Sequence, residues 1–171
     1  MGLFRGDDLD GGARYRMREK MLSIGDDYWI DDEDGDHAFK VDGKAMRLRQ
    51  TFVLRDGSGN EVAKIQERKL SVRDKMAIER DGDTVATVKK ALVGIRDRFS
   101  IDVRDGEDMR AKGNVLEHEY KVERDGDAVA EISKRWFRVR ETYGVQIAPG
   151  EDAALLLAIT VCIEALCEGR D

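Results

Sequence analysis

Cysteine, proline and histidine are scarce in this 171-residue chain, which has two cysteines, one proline and two histidines. Cys162 and Cys167 fall on one predicted helix, about 140° apart around its axis. That separation suits neither a mutual disulfide nor a shared metal ion. Because unpaired cysteines are typical of a reducing compartment, we expect a cytoplasmic protein.

Recognisable catalytic and metal-binding patterns are also missing. No His, Cys and carboxylate residues share metal-ligand spacing, no serine occupies a nucleophile elbow, and the glycines are not grouped into a phosphate loop. The acidic run at 31–36 is similar to a calcium loop, but Lys40 and Val41 stand where a bidentate glutamate is needed. A solvated hairpin turn is the favoured interpretation. We therefore predict a protein that is not an enzyme and needs no metal or cofactor.

A basic excess is absent as well. The 36 acidic residues outnumber the 30 basic residues, for a formal net charge of −6. Nucleic-acid-binding proteins usually carry the opposite balance, so nucleic acid is not an expected partner. Residues 1–13 have no apolar core and predict a flexible N-terminal tail rather than a targeting segment, which leaves 14–171 as a single domain.

Long apolar runs are rare, and the one at 153–167 (AALLLAITVCIEALC) is the most informative segment of the chain. It predicts a helix at about 151–167. Its length of roughly 22 Å is short of the ~30 Å hydrocarbon core of a bilayer. An integral membrane protein is therefore not expected. A short helix that is apolar almost all round is typically buried in protein.

The rest of the chain repeats. An aliphatic residue followed by a polar and then an aromatic or Met position recurs with starts at 24, 48, 72, 95, 116 and 139. A turn dipeptide follows each start: Asp34-Gly35, Asp56-Gly57, Asp81-Gly82, Asp105-Gly106, Asp125-Gly126 and Pro149-Gly150. Asp-Gly favours the type I′ turn of a β-hairpin. Polar and apolar residues alternate beside the turns, as at 99–104, which indicates antiparallel strands with one buried face.

Six units of two strands each predict about twelve strands. A sheet of that size tends to close on itself, and a twelve-stranded barrel has room for a helix inside. We therefore predict a mainly β fold, a closed antiparallel barrel of about twelve strands around the buried C-terminal helix. Glu164, the carboxylate within that helix, is expected near the barrel mouth, paired with an arginine. His118 is expected on the inward face of a strand, in a structural role.

Several of these segments resemble the LURP-one-related family. The resemblance rests on Arg18-Glu-Lys-Met-Leu-Ser-Ile-Gly-Asp-Asp-Tyr-Trp-Ile30, Asp32-Glu-Asp-Gly35, Phe39-Lys-Val-Asp-Gly-Lys-Ala45 and Thr51-Phe-Val-Leu-Arg-Asp-Gly57, and covers about 14–168. It implies the fold of Tubby C-terminal domains and phospholipid scramblases, a twelve-stranded barrel around a hydrophobic helix. For function it implies surface recognition, because Tubby domains bind phosphoinositides through basic residues.

The candidate ligand-binding residues are two basic doublets, Lys89-Lys90 and Lys134-Arg135. With Lys44, Arg47 and Arg49 they would form an anion-binding patch if the barrel brought them together; isolated solvated charges are the alternative. We expect a binding module for anionic lipid headgroups or the membrane surface. The alternative function is a protein-interaction or scaffold domain with no small-molecule ligand.

Overall fold

Twelve strands and one helix are formed by the part of the chain that the computed structural model describes, namely residue 9 and residues 11–19, 27–45, 50–68, 75–91, 98–137 and 140–168. The strands close into one antiparallel barrel, which confirms the predicted fold class. The elements are β1 (Ala13–Arg18), β2 (Tyr28–Asp31), β3 (His37–Ala45), β4 (Gln50–Asp56), β5 (Glu61–Arg68), β6 (Lys75–Arg80), β7 (Asp83–Lys90), β8 (Arg98–Val103), β9 (Met109–Asn114), β10 (Glu119–Arg124), β11 (Asp127–Ser133), β12 (Thr142–Ile147) and α1 (Ala153–Glu168).

The topology is the simplest that twelve strands allow, because each strand pairs with its neighbours in sequence. The exception is the closing pair, in which β1 lies antiparallel to β12 from Ala13 opposite Ile147 to Arg18 opposite Thr142. Closure leaves no unpaired sheet edge.

One end of the barrel carries the five hairpin turns that contain the Asp-Gly dipeptides at 34–35, 56–57, 81–82, 105–106 and 125–126, and we call this end the Asp-Gly rim. In two of the hairpins both turn residues have positive φ, 51° and 85° at Asp81 and Gly82 and the same values at Asp125 and Gly126. These are the angles of a type I′ turn, as predicted. The other three dipeptides lie in longer loops. The opposite end, where the turn between β9 and β10 lies, is the far rim.

Helix α1 runs through the barrel from the Asp-Gly rim to the far rim. Sixteen residues make it about 24 Å long, and Leu157, Ile159 and Val161 are completely buried against the strands. Among the described residues, no helix has the length and apolar character needed to cross a membrane. The helix starts two residues after the predicted position and ends one residue later than predicted.

The start of α1 is fixed by charged residues at the Asp-Gly rim. Asp152 accepts a hydrogen bond from the backbone N–H of Leu155 at 3.1 Å, as an N-cap does. Its two carboxylate oxygens also accept from Arg80 at 2.6 and 3.0 Å. Glu151 forms an equivalent pair with Arg124 at 2.7 and 3.0 Å. The negative charges predicted at the N-terminus of the helix therefore tie it to β6 and β10.

The N-terminal strand begins at Ala13, one residue inside the segment predicted to be a flexible tail. Leu9 is also buried, and its carbonyl accepts a hydrogen bond from Nε2 of Gln146 at 2.8 Å. These contacts place the end of the predicted tail against the barrel. Residues 1–8 and 10 lie outside the described residues.

Candidate functional site

The predicted basic doublets lie at the far rim, at the end of β7 and directly after β11. Strands β8, β9 and β10 separate them, which is roughly 19 Å around the wall at ~4.8 Å per strand. The two doublets therefore belong to different parts of the rim. Of the other predicted basic residues, Arg47 and Arg49 lie outside the described residues, and the side chain of Lys44 is not described.

Three of the four doublet residues contact carboxylates. Lys89 lies 2.6 Å from Asp102, Lys134 lies 2.5 Å from Glu19, and Arg135 lies 2.6 Å from Glu131. The Glu19 contact raises the pKa of the Lys134 ammonium, because the hydrogen-bonded carboxylate favours its charged form. These are the paired charges of a solvated surface.

Lys90 is different, because its side chain is only 6% exposed. Its ammonium lies 5.7 Å from the centre of the Phe99 ring. A cation on an aromatic face is a favourable contact. Lys90 is therefore held within the wall of the barrel rather than displayed on it.

A groove on the outer wall of β8 and β9 gathers basic side chains that sequence reasoning did not single out. It has a volume of about 320 Å³ and is lined by Ala91, Arg98, Phe99, Ser100, Arg110, Ala111 and Lys112. Strand alternation explains the lining: Phe99 and Ala111 are buried, while Arg98, Arg110 and Lys112 are exposed. Ser100 supplies a hydroxyl beside them.

Strand register places these cations side by side. Arg98 is directly opposite Lys112, and Ser100 is opposite both Arg110 and Lys89. Like charges directly opposite each other on a sheet are destabilising. The groove therefore concentrates positive charge at a cost that a bound anion would remove.

Two of the groove cations, Arg98 and Arg110, contact no carboxylate in the described part of the chain, since Glu123, which is opposite Arg110 on β10, contacts Lys112 instead. Lys112 contacts Glu123 at 3.0 Å. Within the described ranges, Arg98 and Arg110 form no ion pair or side-chain hydrogen bond. Guanidinium groups bind phosphate and carboxylate through two parallel N–H bonds. Chemically, the groove can hold an anion such as a phosphate group.

A second polar cluster lies at the far rim inside the barrel. Oε1 of Glu164 accepts a 2.9 Å hydrogen bond from the Tyr120 hydroxyl and lies 3.1 Å from Nδ1 of His118. The prediction that an arginine pairs with Glu164 is therefore wrong, because a tyrosine and a histidine occupy that place. Burial, together with the adjacent Glu164 carboxylate, raises the pKa of Tyr120 well above its usual value.

The position predicted for His118 also needs correction. It lies in the turn between β9 and β10 with φ of 53°, in the left-handed region, and not on a strand. Its ring stacks on Tyr143 at 4.4 Å between centroids, and its Nε2 is 3.9 Å from Glu19. The left-handed residue breaks the alternation on which the strand assignment depended. These contacts, together with its bond to Glu164, are those of a structural histidine that anchors the end of α1.

The acidic loop at 31–36 forms a hairpin turn. Oδ1 of Asp32 accepts hydrogen bonds from the backbone N–H groups of Asp34 and Asp36, both at 3.0 Å. This is the local side-chain-to-backbone bonding of an Asx turn. Across the described ranges, no three His, Cys, Asp or Glu side chains are grouped closely enough to hold a metal ion.

An exposed aromatic pair lies on β2 and β3. The Trp29 ring stacks on His37 at 4.4 Å between centroids, and Nδ1 of His37 lies 2.7 Å from Asp31. The Lys40 ammonium is 5.6 Å from the Trp29 ring centre. Trp29 and His37 thus both contact other residues of their own hairpin.

Comparison with known proteins identifies the family of this chain. The model of the LURP-one-related family matches residues 13–164. A solved X-ray structure of a protein from Arabidopsis thaliana shares the fold with a TM-score of 0.65 and 20% sequence identity, over 93% of this chain and 91% of that chain. No curated protein matches the sequence. Because the family match spans nearly all of the barrel and most of α1, this chain belongs to the LURP-one-related family.

Proposed function

We propose that this protein is a non-enzymatic binding module that recognises the phosphate groups of anionic lipid headgroups through the groove on β8 and β9. The observation that carries the proposal is the pair of exposed guanidinium groups, Arg98 and Arg110, neither of which forms an ion pair within the described ranges. Lys112, opposite Arg98, and Lys89, opposite Ser100, lie beside these groups, and each is paired with a carboxylate.

The architecture supports a surface site. Since α1 fills the interior of the barrel, a ligand is held on the outer wall or at a rim. The chain carries a formal net charge of −6, whereas every charged side chain that lines the groove is basic. A local patch of this kind attracts anions despite the overall charge. The resemblance to Tubby domains, which bind phosphoinositides through surface basic residues, points to the same class of ligand.

The test is co-sedimentation with phosphatidylcholine vesicles, with and without phosphatidylinositol bisphosphate, at low and high salt. A Lys or Arg near an anionic surface contributes about 1 kcal/mol of binding free energy. We therefore expect Arg98→Gln and Arg110→Gln each to weaken vesicle binding about five-fold, and salt to weaken binding of the unmodified protein.

Arg104→Gln is the matched control. Arg104 is equally an exposed arginine, but it lies at the Asp-Gly rim and contacts Asp83 at 3.7 Å. Its replacement changes the net charge by the same amount and is expected to leave vesicle binding unchanged. Equal losses of vesicle binding in all three variants would show that binding depends on net charge and not on the groove. No binding to any vesicle would contradict the proposal and favour a protein-interaction domain.

A further inference from the structure

Leu116 is the most exposed large hydrophobic residue in the described part of the chain. It stands in the turn between β9 and β10 with 71% of its surface exposed. The other exposed large hydrophobic residue there is Trp29, which is 38% exposed and stacks on His37. Leu116 therefore presents an apolar side chain to the surroundings at the far rim.

The turn cannot bury Leu116 by a small rearrangement, because it is held on both sides. Val115 is buried in the core, and its carbonyl accepts a 3.0 Å hydrogen bond from the N–H of His118. The His118 side chain in turn bonds to Glu164 on α1. Asn114 accepts from the N–H of Glu117 at 3.2 Å. The turn between β9 and β10 is therefore fixed in the conformation that points Leu116 outward.

The turn that carries Leu116 follows strand β9 at the far rim, and β9 is one of the two strands that form the cationic groove. Strand β9 ends at Asn114, two residues after Lys112, and Lys112 pairs with Arg98 at the start of β8. From Lys112 to Leu116 the chain reaches at most about 13 Å. An apolar side chain beyond a belt of cations matches the layering of an anionic membrane, in which phosphates lie outside the boundary of the acyl chains.

We propose that Leu116 inserts into the interface of an anionic bilayer while Arg98 and Lys112 contact lipid phosphates, so that the barrel docks with its far rim towards the membrane. This inference rests on the proposed function, and it adds the orientation of the protein and an apolar contact. The positive charge of the groove favours an anionic surface. Leu116 adds an apolar contact that forms with a membrane and not with a free phosphate compound.

The first experiment separates a lipid surface from a free phosphate compound. Binding is measured to soluble inositol trisphosphate and to phosphatidylcholine vesicles containing phosphatidylinositol bisphosphate. Leu116→Gln keeps the charge and the approximate size of the side chain. It is expected to weaken vesicle binding about ten-fold through the lost apolar contact and to leave binding of the soluble compound unchanged. Arg98→Gln is expected to weaken both.

The outcomes distinguish the two proposals. If Leu116→Gln binds vesicles as tightly as the unmodified protein, insertion is wrong while headgroup recognition stands. If it loses binding to the soluble compound as well, the turn acts on the groove and not on the membrane, and insertion is again wrong. If the unmodified protein binds neither probe, the proposed function fails and this inference fails with it.

A second measurement reports insertion directly. Leu116→Cys in a Cys167→Ser background is labelled with an environment-sensitive fluorophore, since Cys162 is completely buried. We expect a blue shift of the emission on adding anionic vesicles. The same label at Asp105→Cys, on the Asp-Gly rim, is expected to show no shift. Equal emission changes at both positions, or none at either, would overturn the proposed orientation.

Discussion

The Tyr120 hydroxyl donates a 2.9 Å hydrogen bond to Glu164 inside the barrel, joining β10 to the central helix. Both groups are almost inaccessible to water, at 3% and 5% exposure. A buried donor or acceptor that loses its partner costs about 1–3 kcal/mol. The cluster of Tyr120, Glu164 and His118 therefore stabilises one particular position of α1 along the barrel.

Replacing the carboxylate tests this cluster. Glu164→Leu removes the acceptor of the Tyr120 hydroxyl and of Nδ1 of His118, so we expect the free energy of unfolding to fall by about 2–5 kcal/mol. Glu164→Gln keeps an acceptor oxygen and is expected to cost less than about 1.5 kcal/mol. Urea denaturation measures both. A leucine variant as stable as the glutamine variant would contradict the role of these hydrogen bonds.

Removal of the helix is expected to abolish folding. Deletion of residues 151–171 exposes the inward faces of the strands that pack on α1, which are apolar along the whole barrel. We expect a fragment that is insoluble or lacks a cooperative thermal transition in circular dichroism. A truncated protein that stays soluble and melts cooperatively would show that the strands form a stable barrel without the helix.

A pair of leucines provides a milder version of the same test. Leu157 is completely buried in α1, whereas Leu116 is 71% exposed at the far rim. Leu157→Ala is expected to cost about 2–5 kcal/mol of unfolding free energy, as buried leucines do. The chemically identical change Leu116→Ala is expected to stay within about 0.5 kcal/mol. Similar losses in the two variants would contradict the central position of α1.

The contacts at the N-terminus of α1 are expected to make the stability of the protein sensitive to acid. The Arg80 guanidinium and the backbone N–H of Leu155 hold the pKa of Asp152 below its ordinary value of 3.8. A lowered folded-state pKa means that the stabilisation is fully present above that ordinary value and is lost as the pH falls towards the folded-state pKa.

Asp152→Asn tests this linkage. We expect a loss of about 1 kcal/mol at pH 7, the usual contribution of an ion pair and cap at a partly exposed position. The difference from the unmodified protein is expected to shrink as the pH is lowered below 3.8. Asp105→Asn, in an exposed turn, is the control and is expected to change little. A difference that grows in acid would have the wrong sign and would contradict the assignment.

The buried thiol of α1 offers a reporter of helix exposure. Burial raises the pKa of Cys162 far above its usual value, and the thiolate is the form that reacts with disulfide reagents. In a Cys167→Ser background, Cys162 is expected to resist labelling in native buffer and to react in urea. The reciprocal Cys162→Ser variant controls for the half-buried Cys167. Rapid labelling of Cys162 without denaturant would show that α1 leaves the barrel readily.

Most of the fold could be predicted from the sequence because its signals are local. The Asp-Gly dipeptides at 81–82 and 125–126 specify tight hairpins through the backbone angles that their two residues accept, and the alternation at 99–104 marks one inner and one outer face. The apolar run at 153–167 has no water-facing side and must be enclosed. These signals depend on nearest neighbours along the chain, and the strand order follows from joining hairpins in sequence.

The groove could not be predicted because it depends on pairing across strands. Arg98 and Arg110 occupy ordinary outward positions, and each resembles any solvated arginine in the sequence. What distinguishes them is that no carboxylate contacts them in the described part of the chain: Arg98 is opposite Lys112, and Glu123, which is opposite Arg110, contacts Lys112 instead. Conversely, the Lys89-Lys90 doublet stands out in sequence, yet Lys89 is neutralised by Asp102 from the next strand and Lys90 is buried.

The partner of Glu164 depended on a similar long-range relationship. An arginine was expected because it is the common partner of a buried carboxylate, but the turn between β9 and β10 delivers His118 instead. A single left-handed residue directs that ring inward. Local alternation places side chains correctly along a strand and fails at the first residue that leaves the extended conformation.

The closing pair of β1 and β12, followed by α1, has a consequence for the synthesis of the protein. The strand that completes the wall and the helix that fills it are the last parts of the domain to leave the ribosome. The inward faces of the earlier strands are therefore covered only when these last two elements have been made. Until then, ten or more strands wait with their apolar faces uncovered. Such late, long-range assembly is slow and prone to aggregation.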